Sequence, residues 1–202
     1  DALNRPVKLI GAPRRNARDG SNLYLTIDSD VQRIADFEIR RAVEDNSAAG
    51  GVIIVADPRN GDILALAEHF PGRENHILYS SSCFYEPGST FKLITYSYML
   101  ENGLVDINDV FDGENGEKLF DFGMFRDDHP HECLTVKESF VYSSNICTIK
   151  AICGGNCDDF YRFVLHYGFG SRTGVDLPVE TGGILRDPSH WTERSLPSIA
   201  IG

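Results

Sequence analysis

At 202 residues the chain is long enough to bury one sizeable core, and 42% hydrophobic with 24% charged residues excludes a disordered, fibrous or collagen-like polymer. With 30 acidic against 19 basic residues the net charge is -11, which argues against a nucleic-acid surface, because phosphates are met by a basic face. No apolar run approaches the ~20 residues that cross a bilayer, and no signal peptide opens the sequence at Asp1.

Residues 1 to 22 carry Pro6, Gly11, Pro13, Gly20 and the basic cluster Arg14, Arg15 and Arg18, and they read as an extended connector with solvated charges. Leu23-Tyr24-Leu25-Thr26-Ile27 reads as a short strand. Asp28 or Ser29 then caps a helix whose apolar positions Val31, Ile34, Ala35, Ile39, Ala42 and Val43 follow helical spacing and are expected to cover a sheet. Gly51–Ala56 and Ile63–Ala67 are joined by Asp57-Pro58-Arg59-Asn60-Gly61-Asp62, where Pro fixes φ and Gly permits φ > 0, so they form an antiparallel hairpin. Both runs are nearly continuously apolar, which predicts strands covered on both faces. His69 to Tyr85 has no periodicity and delivers the chain to Pro87-Gly88.

From Ser89 to about Asn102 the pattern is helical, with Gly103 as the C-terminal cap. Asp106 to Cys133 reads as a polar, exposed loop. Its Asp127, Asp128, His129, His131, Glu132 and Cys133 are metal-binding types, but ligands crowded into one loop rarely close a tetrahedral site without a distant partner, so no metal and no cofactor is expected. Thr135-Val136-Lys137-Glu138 is a capping box that starts a helix leading to Tyr142-Ser143-Ser144-Asn145. Asp158 to Tyr167 puts Phe160, Phe163, Val164 and Tyr167 on one face, and Gly168 stops it. Gly168-Phe169-Gly170-Ser171-Arg172-Thr173 fails the G-x-G-x-x-G spacing at Thr173, so its glycines are a helix cap and turn. Five cysteines (Cys83, Cys133, Cys147, Cys153, Cys157) leave at least one unpaired in any scheme within the chain. Cys153 and Cys157, spaced C-x3-C, read as free thiols rather than a disulfide or metal pair.

The chemistry concentrates in Glu86-Pro87-Gly88-Ser89-Thr90-Phe91-Lys92. Positions three apart share a helix face, so Lys92 comes within reach of the Ser89 oxygen as a base beside a nucleophile. The unpaired N–H groups and partial positive charge of a helix start favour an alkoxide at Ser89 and an unprotonated Lys92 amine. An acyl transferase also needs a relay hydroxyl and an amide to hold the substrate backbone, and Ser143 and Asn145 supply both after a separately capped helix.

These two boxes together resemble the penicillin-binding proteins, specifically the transpeptidase domain of the monofunctional class B group, for which S-x-x-K is a known signature. Leu25-Thr26-Ile27-Asp28 with Gln32, Asp57-Pro58 with Gly61 to Ala65, Tyr167 to Gly170 with Thr173-Gly174, and Ile199-Ala200-Ile201-Gly202 resemble further landmarks in family order. The resemblance implies an α+β fold of the penicillin-binding/serine β-lactamase kind, a central antiparallel sheet flanked by helices. By it Ser89 attacks a D-alanyl-D-alanine stem peptide of peptidoglycan, Lys92 is the base, Ser143 joins the proton relay and Asn145 holds the substrate amide. It also implies acylation of Ser89 by β-lactams and a membrane-anchored full-length protein whose catalytic domain lies on the extracytoplasmic side. A wall-synthesis glycosyltransferase complex is the implied partner, and no nucleic acid.

One family feature is missing: the third box, Lys-Thr-Gly or Lys-Ser-Gly, occurs nowhere in the sequence. The expectation is therefore a partial transpeptidase domain over residues 23–202, preceded by the tail of an absent pedestal domain in residues 1–22. Two rivals stand beside this reading. A serine β-lactamase is disfavoured by Ser-Ser-Asn at 143–145 in place of Ser-Asp-Asn, and by the lack of E-x-x-x-N after Glu180. A non-catalytic lactam-sensing or scaffolding relative is the other. An α/β-hydrolase would need Gly at Pro87 and Phe91.

Overall fold

The structure is a computed structural model that describes residues 19–72 and 78–202. Arg14, Arg15, Arg18 and most of the expected connector lie outside the described residues. The chain divides into two compact units, one ending at Pro71 and the other running from Gly72 to Gly202.

In the first unit Asp28 caps helix α1 (Ser29–Asp45), its carboxylate accepting from the N–H groups of Asp30 at 2.9 Å and Val31 at 3.1 Å. The helix buries Ala35, Ile39 and Val43 on the antiparallel hairpin of β1 (Gly51–Ala56) and β2 (Ile63–His69). Gly51 faces the helix closely: a Cβ on it would lie 2.6 Å from Ile39 Cδ1, so a larger residue there would have to displace the Ile39 side chain. The helix's apolar stripe is narrower than its sequence suggests, since Ile34 is 55% exposed and Ala42 also faces outward.

Two sequence expectations fail in this unit. First, β1 is not covered on both faces; its exposure alternates, with Val52 37% and Ile54 50% exposed, because α1 supplies one covering layer. Second, Leu23–Ile27 forms no strand, and Leu23 and Tyr24 are 82% and 89% exposed. The free edge of β2 is met another way. Thr26 Oγ1 donates to Ile63 O at 2.6 Å, Asp28 N to Leu64 O at 2.9 Å, and the Gln32 side-chain amide both donates to Leu66 O and accepts from Leu66 N, each at 2.9 Å. A side chain here replaces a strand partner, so the backbone groups are satisfied without a ladder.

The second unit holds a single turn α2 (Tyr79–Ser82), a 3-10 turn (Gly88–Phe91) running into α3 (Lys92–Glu101), and helices α4 (Val136–Val141), α5 (Asn145–Ile152), α6 (Cys157–His166) and α7 (Ser195–Ile201). Asp106–Cys133 is not a loop. It builds β3 (Val110–Asp112) paired with β6 (Cys133–Thr135), and β4 (Glu117–Phe120) paired with β5 (Gly123–Arg126), both antiparallel. Its polar residues hid the strands because these are three or four residues long, too short to display a period. Glu114 locks the connection from β3 to β4 by accepting from Lys118 Nζ at 2.6 Å and from Lys150 Nζ of α5 at 2.8 Å.

The core of this unit gathers Phe91, Ile94 and Met99 of the α3 segment, Ile152 of α5, Phe160 and Val164 of α6, and Ala200 of α7. The expected capping box at Thr135 and Glu138 is present. The whole is α+β, with the strands distributed over three two-stranded antiparallel sheets among the described residues. The five cysteines are free thiols, Cys147 buried and the others exposed. Among the described residues no helix is long and apolar enough to cross a membrane.

Candidate active site

Ser89 stands in the 3-10 turn and Lys92 opens α3, so the chain tightens before becoming α-helical. Gly88 turns at φ +59, a left-handed conformation suited to glycine. Thr90 Oγ1 donates to Pro87 O at 2.6 Å, and the buried Phe91 ring meets Phe169 edge-on at 5.0 Å. A Cβ on Gly202 would overlap the Gly88 carbonyl, so the end of α7 lies directly against this turn. Thr95 Oγ1 ties α3 to α7 by donating to Ala200 O at 2.8 Å. Packing thus fixes the turn from two sides while the Ser89 side chain stays exposed.

Lys92 is 1% exposed. Its Nζ donates to Ser143 O at 2.5 Å, Ser143 Oγ at 3.0 Å and Asn145 Oδ1 at 2.7 Å, which uses all three ammonium donors. Burial pushes its pKa down to about 8, and the Asp127 carboxylate works in the opposite direction. With its donors committed to residues 143 and 145, Lys92 makes no hydrogen bond to Ser89 Oγ among the described residues. Three of the four expected site residues therefore converge, and Ser89 sits one turn before them.

The second box owes its shape to two helix ends. Ser143 follows the C-cap of α4 at φ +57, a left-handed conformation that costs a non-glycine residue about 1–2 kcal/mol. It is held by Ser143 N donating to Phe140 O and Ser144 N donating to Ser139 O, the αL closure that commonly ends a helix. Ser144 then caps α5, its Oγ accepting from Cys147 N at 3.1 Å. This change of direction aims Ser143 and Asn145 at the same amine.

Sequence reasoning missed Asp127 in this role. Its Oδ2 accepts from Ser144 Oγ at 2.6 Å and its Oδ1 from Asn145 N at 2.6 Å and Ile146 N at 3.0 Å, so it anchors the start of α5. Neighbouring Arg126 O accepts from Asn145 Nδ2 at 2.8 Å, which turns Asn145 Oδ1 toward Lys92. Asp127 precedes the residues it caps by 17 to 19 positions, beyond the reach of any local capping signal. Among the described residues no cluster of three His, Cys, Asp or Glu side chains is arranged to hold a metal.

A cleft of about 1160 Å³ opens beside the Ser89 turn, lined by Pro87, Phe91, Phe125, Phe169, Arg194 and Ile201 among others. The Arg194 guanidinium lies 5.0 Å from the Phe125 ring centroid on one wall. Thr173, which also lines the cleft, is held by Glu180, whose carboxylate accepts from Thr173 N, Thr173 Oγ1 and Gly174 N at 2.6, 2.5 and 3.0 Å.

The family model for the penicillin-binding protein transpeptidase domain matches residues 51–202. The chain belongs to this family. A probable peptidoglycan D,D-transpeptidase PenA of Neisseria meningitidis is 29% identical in an alignment that takes in 100% of this chain and 36% of that protein. The chain thus spans about a third of the length of this curated relative. The transpeptidase domain of penicillin-binding protein 3 from Burkholderia pseudomallei superposes with a TM-score of 0.80 at 28% identity, over 88% of this chain and 52% of that one. A structure described as a peptidoglycan glycosyltransferase from Burkholderia ambifaria gives a TM-score of 0.82 at 28% identity, over 89% of this chain and 55% of that one. At these TM-scores the chain shares its α+β fold with both solved structures.

Proposed function

We propose that this chain carries the acyl-transfer centre of a peptidoglycan D,D-transpeptidase, with Ser89 as nucleophile, Lys92 as base, Ser143 as proton relay and Asn145 as the substrate-holding amide. The observation that carries the reading is the buried Lys92 amine, brought near neutrality at about 8 and bonded to both polar side chains of the second box. An amine of that pKa is unprotonated in about a tenth of molecules at pH 7, enough to act as a general base.

In this mechanism Ser89 Oγ bonds to the penultimate D-alanine carbonyl of a stem peptide and gives its proton to neutral Lys92. The C–N bond to the terminal D-alanine breaks, and its nitrogen leaves as an amine after receiving a proton through Ser143 Oγ. The amine of a neighbouring stem then attacks the acyl-enzyme, forming the cross-link and restoring Ser89. Asn145 spends one of its two amide N–H groups on Arg126 O and has the second for the substrate backbone. A β-lactam acylates the same oxygen, because its ring presents a carbonyl in the same place. The named activity of PenA supports this substrate class. We further propose that the full-length protein is membrane-anchored, with this domain extracytoplasmic and working beside a wall-synthesis glycosyltransferase.

The test is intact-mass analysis of the protein after incubation with penicillin. A stoichiometric adduct that maps to Ser89 and vanishes in Ser89→Ala is expected. An unmodified mass, or an adduct retained in Ser89→Ala, refutes the nucleophile. Cross-linking of a lipid-linked substrate then separates a transpeptidase from a lactam sensor.

A further inference from the structure

Four residues past Lys92, on the same face of α3, Tyr96 is a buried phenol that the proposed chemistry leaves unused. Its hydroxyl lies 2.9 Å from Thr148 Oγ1, and Thr148 Oγ1 donates to Ser144 O at 2.6 Å. Since the Thr148 proton is committed to that carbonyl, the direction of the chain is fixed: Tyr96 donates to Thr148, and Thr148 donates to Ser144 O. All three residues are nearly inaccessible to water.

The peptide unit at the end of that chain is the one joining Ser144 to Asn145. Its carbonyl is held by Thr148, and its N–H is held by Asp127 at 2.6 Å. Ser143, one residue ahead of Ser144, is in the strained left-handed conformation, and Asn145 itself supplies the Oδ1 acceptor for Lys92. A displacement of this peptide unit shifts the backbone between the two residues that bond the amine. The Tyr96 ring is itself fixed edge-on to Phe140 of α4 at 5.4 Å, so the chain spans α3, α4 and α5. Burial pushes the phenol up to about 12, which keeps it a neutral donor.

We infer that Tyr96 and Thr148 are positioning residues that clamp the Ser144–Asn145 peptide and so set the geometry of Ser143 and Asn145 around Lys92. The kinetic part of this inference rests on the acyl-transfer reading of Lys92. Neither residue touches the reacting atoms. Their effect passes through one carbonyl, and the two act in series.

The experiment compares Tyr96→Phe, Thr148→Val, the double variant and Thr148→Ser in the intact protein. It measures the acylation rate constant and the initial affinity for a fluorescent penicillin, and the exchange rate of the Asn145 amide by NMR. Tyr96→Phe keeps the ring and its Phe140 contact, so far-UV circular dichroism is expected to match the parent. Loss of one buried hydrogen bond predicts acylation slower by about tenfold and Asn145 exchange faster by a similar factor, with initial affinity unchanged. The double variant is expected to be no slower than Thr148→Val, and Thr148→Ser to behave as the parent. Unchanged acylation in folded single variants, effects that multiply in the double variant, or failure of serine to rescue overturns the inference. If the parent itself forms no adduct, the acyl-transfer reading fails separately, and Asn145 exchange still decides the clamp.

Discussion

Asp127→Asn separates the electrostatic role of this residue from its role as a helix cap. The amide oxygen keeps the bonds from Asn145 N and Ile146 N, and the Ser144 hydroxyl can turn to accept from the new amide. What disappears is the charge. Burial lowers the Lys92 pKa and the Asp127 carboxylate raises it, so removing the carboxylate moves the midpoint below its present value of about 8. Neutral Lys92 already makes up about a tenth of the population at pH 7, so the acylation rate there rises by no more than about tenfold. At high pH, where the amine is neutral in both proteins, the rates converge. The assay is the acylation rate with a chromogenic cephalosporin across about pH 5.5 to 10, with the variant's rising limb expected at lower pH. A limb that stays in place or moves to higher pH refutes the reasoning. Asp127→Ala serves as the contrast: it strips the cap, is expected to cost about 1–2 kcal/mol in chemical denaturation, and slows acylation by releasing Asn145.

Lys92 also makes stability depend on pH. Its folded pKa of about 8 lies below the unfolded 10.5, so between these values the unfolded chain binds more protons and stability rises with pH, by about 3 kcal/mol in total. Urea melts across this window, differenced against Lys92→Met, measure that increment; a flat or falling difference contradicts the buried amine. Ser143→Gly relieves the left-handed backbone, so it is expected to be more stable than Ser143→Ala by about 1 kcal/mol, while both variants lose acylation. Equal stabilities would remove the case for strain. Gly51→Val drives methyl groups into Ile39 and Val43 and is expected to cost about 1–3 kcal/mol by thermal melting.

Local signals carried their own elements well. The Asp28 cap, the Pro58 to Gly61 turn and the Thr135–Glu138 capping box were legible because each is settled within a few residues. Three features were not legible, each for a physical reason. The strand expected at Leu23–Ile27 is replaced by the Gln32 side chain, and an apolar run does not reveal how the opposite edge will be satisfied. The strands within Asp106–Cys133 are too short for alternation to register. Asp127 reads as one acid among several in a polar stretch, and its role exists because β5 ends beside the start of α5. At the site itself, the convergence of Lys92, Ser143 and Asn145 was expected from residue types, whereas the occupation of every Lys92 donor was not.

That full occupation constrains how the amine can lose its proton. A neutral amine has two N–H donors and one lone pair, so one of its three present partners must become a donor or withdraw. The Ser143 carbonyl and Asn145 Oδ1 can only accept, and Asn145 is further held by Arg126 O. Ser143 Oγ, the longest of the three contacts at 3.0 Å, carries a proton of its own and can reverse its role by rotation about one bond. Deprotonation of Lys92 is therefore coupled to a turn of the Ser143 hydroxyl, or to a swing of the amine toward the exposed hydroxyl one helical turn away. The strained Ser143 conformation and the two-ended hold on the Ser144–Asn145 peptide keep that hydroxyl in range for either outcome. Of the three groups that accept from Lys92, the reversible one is thus the hydroxyl of the serine that joins two helices, while the other two can only accept.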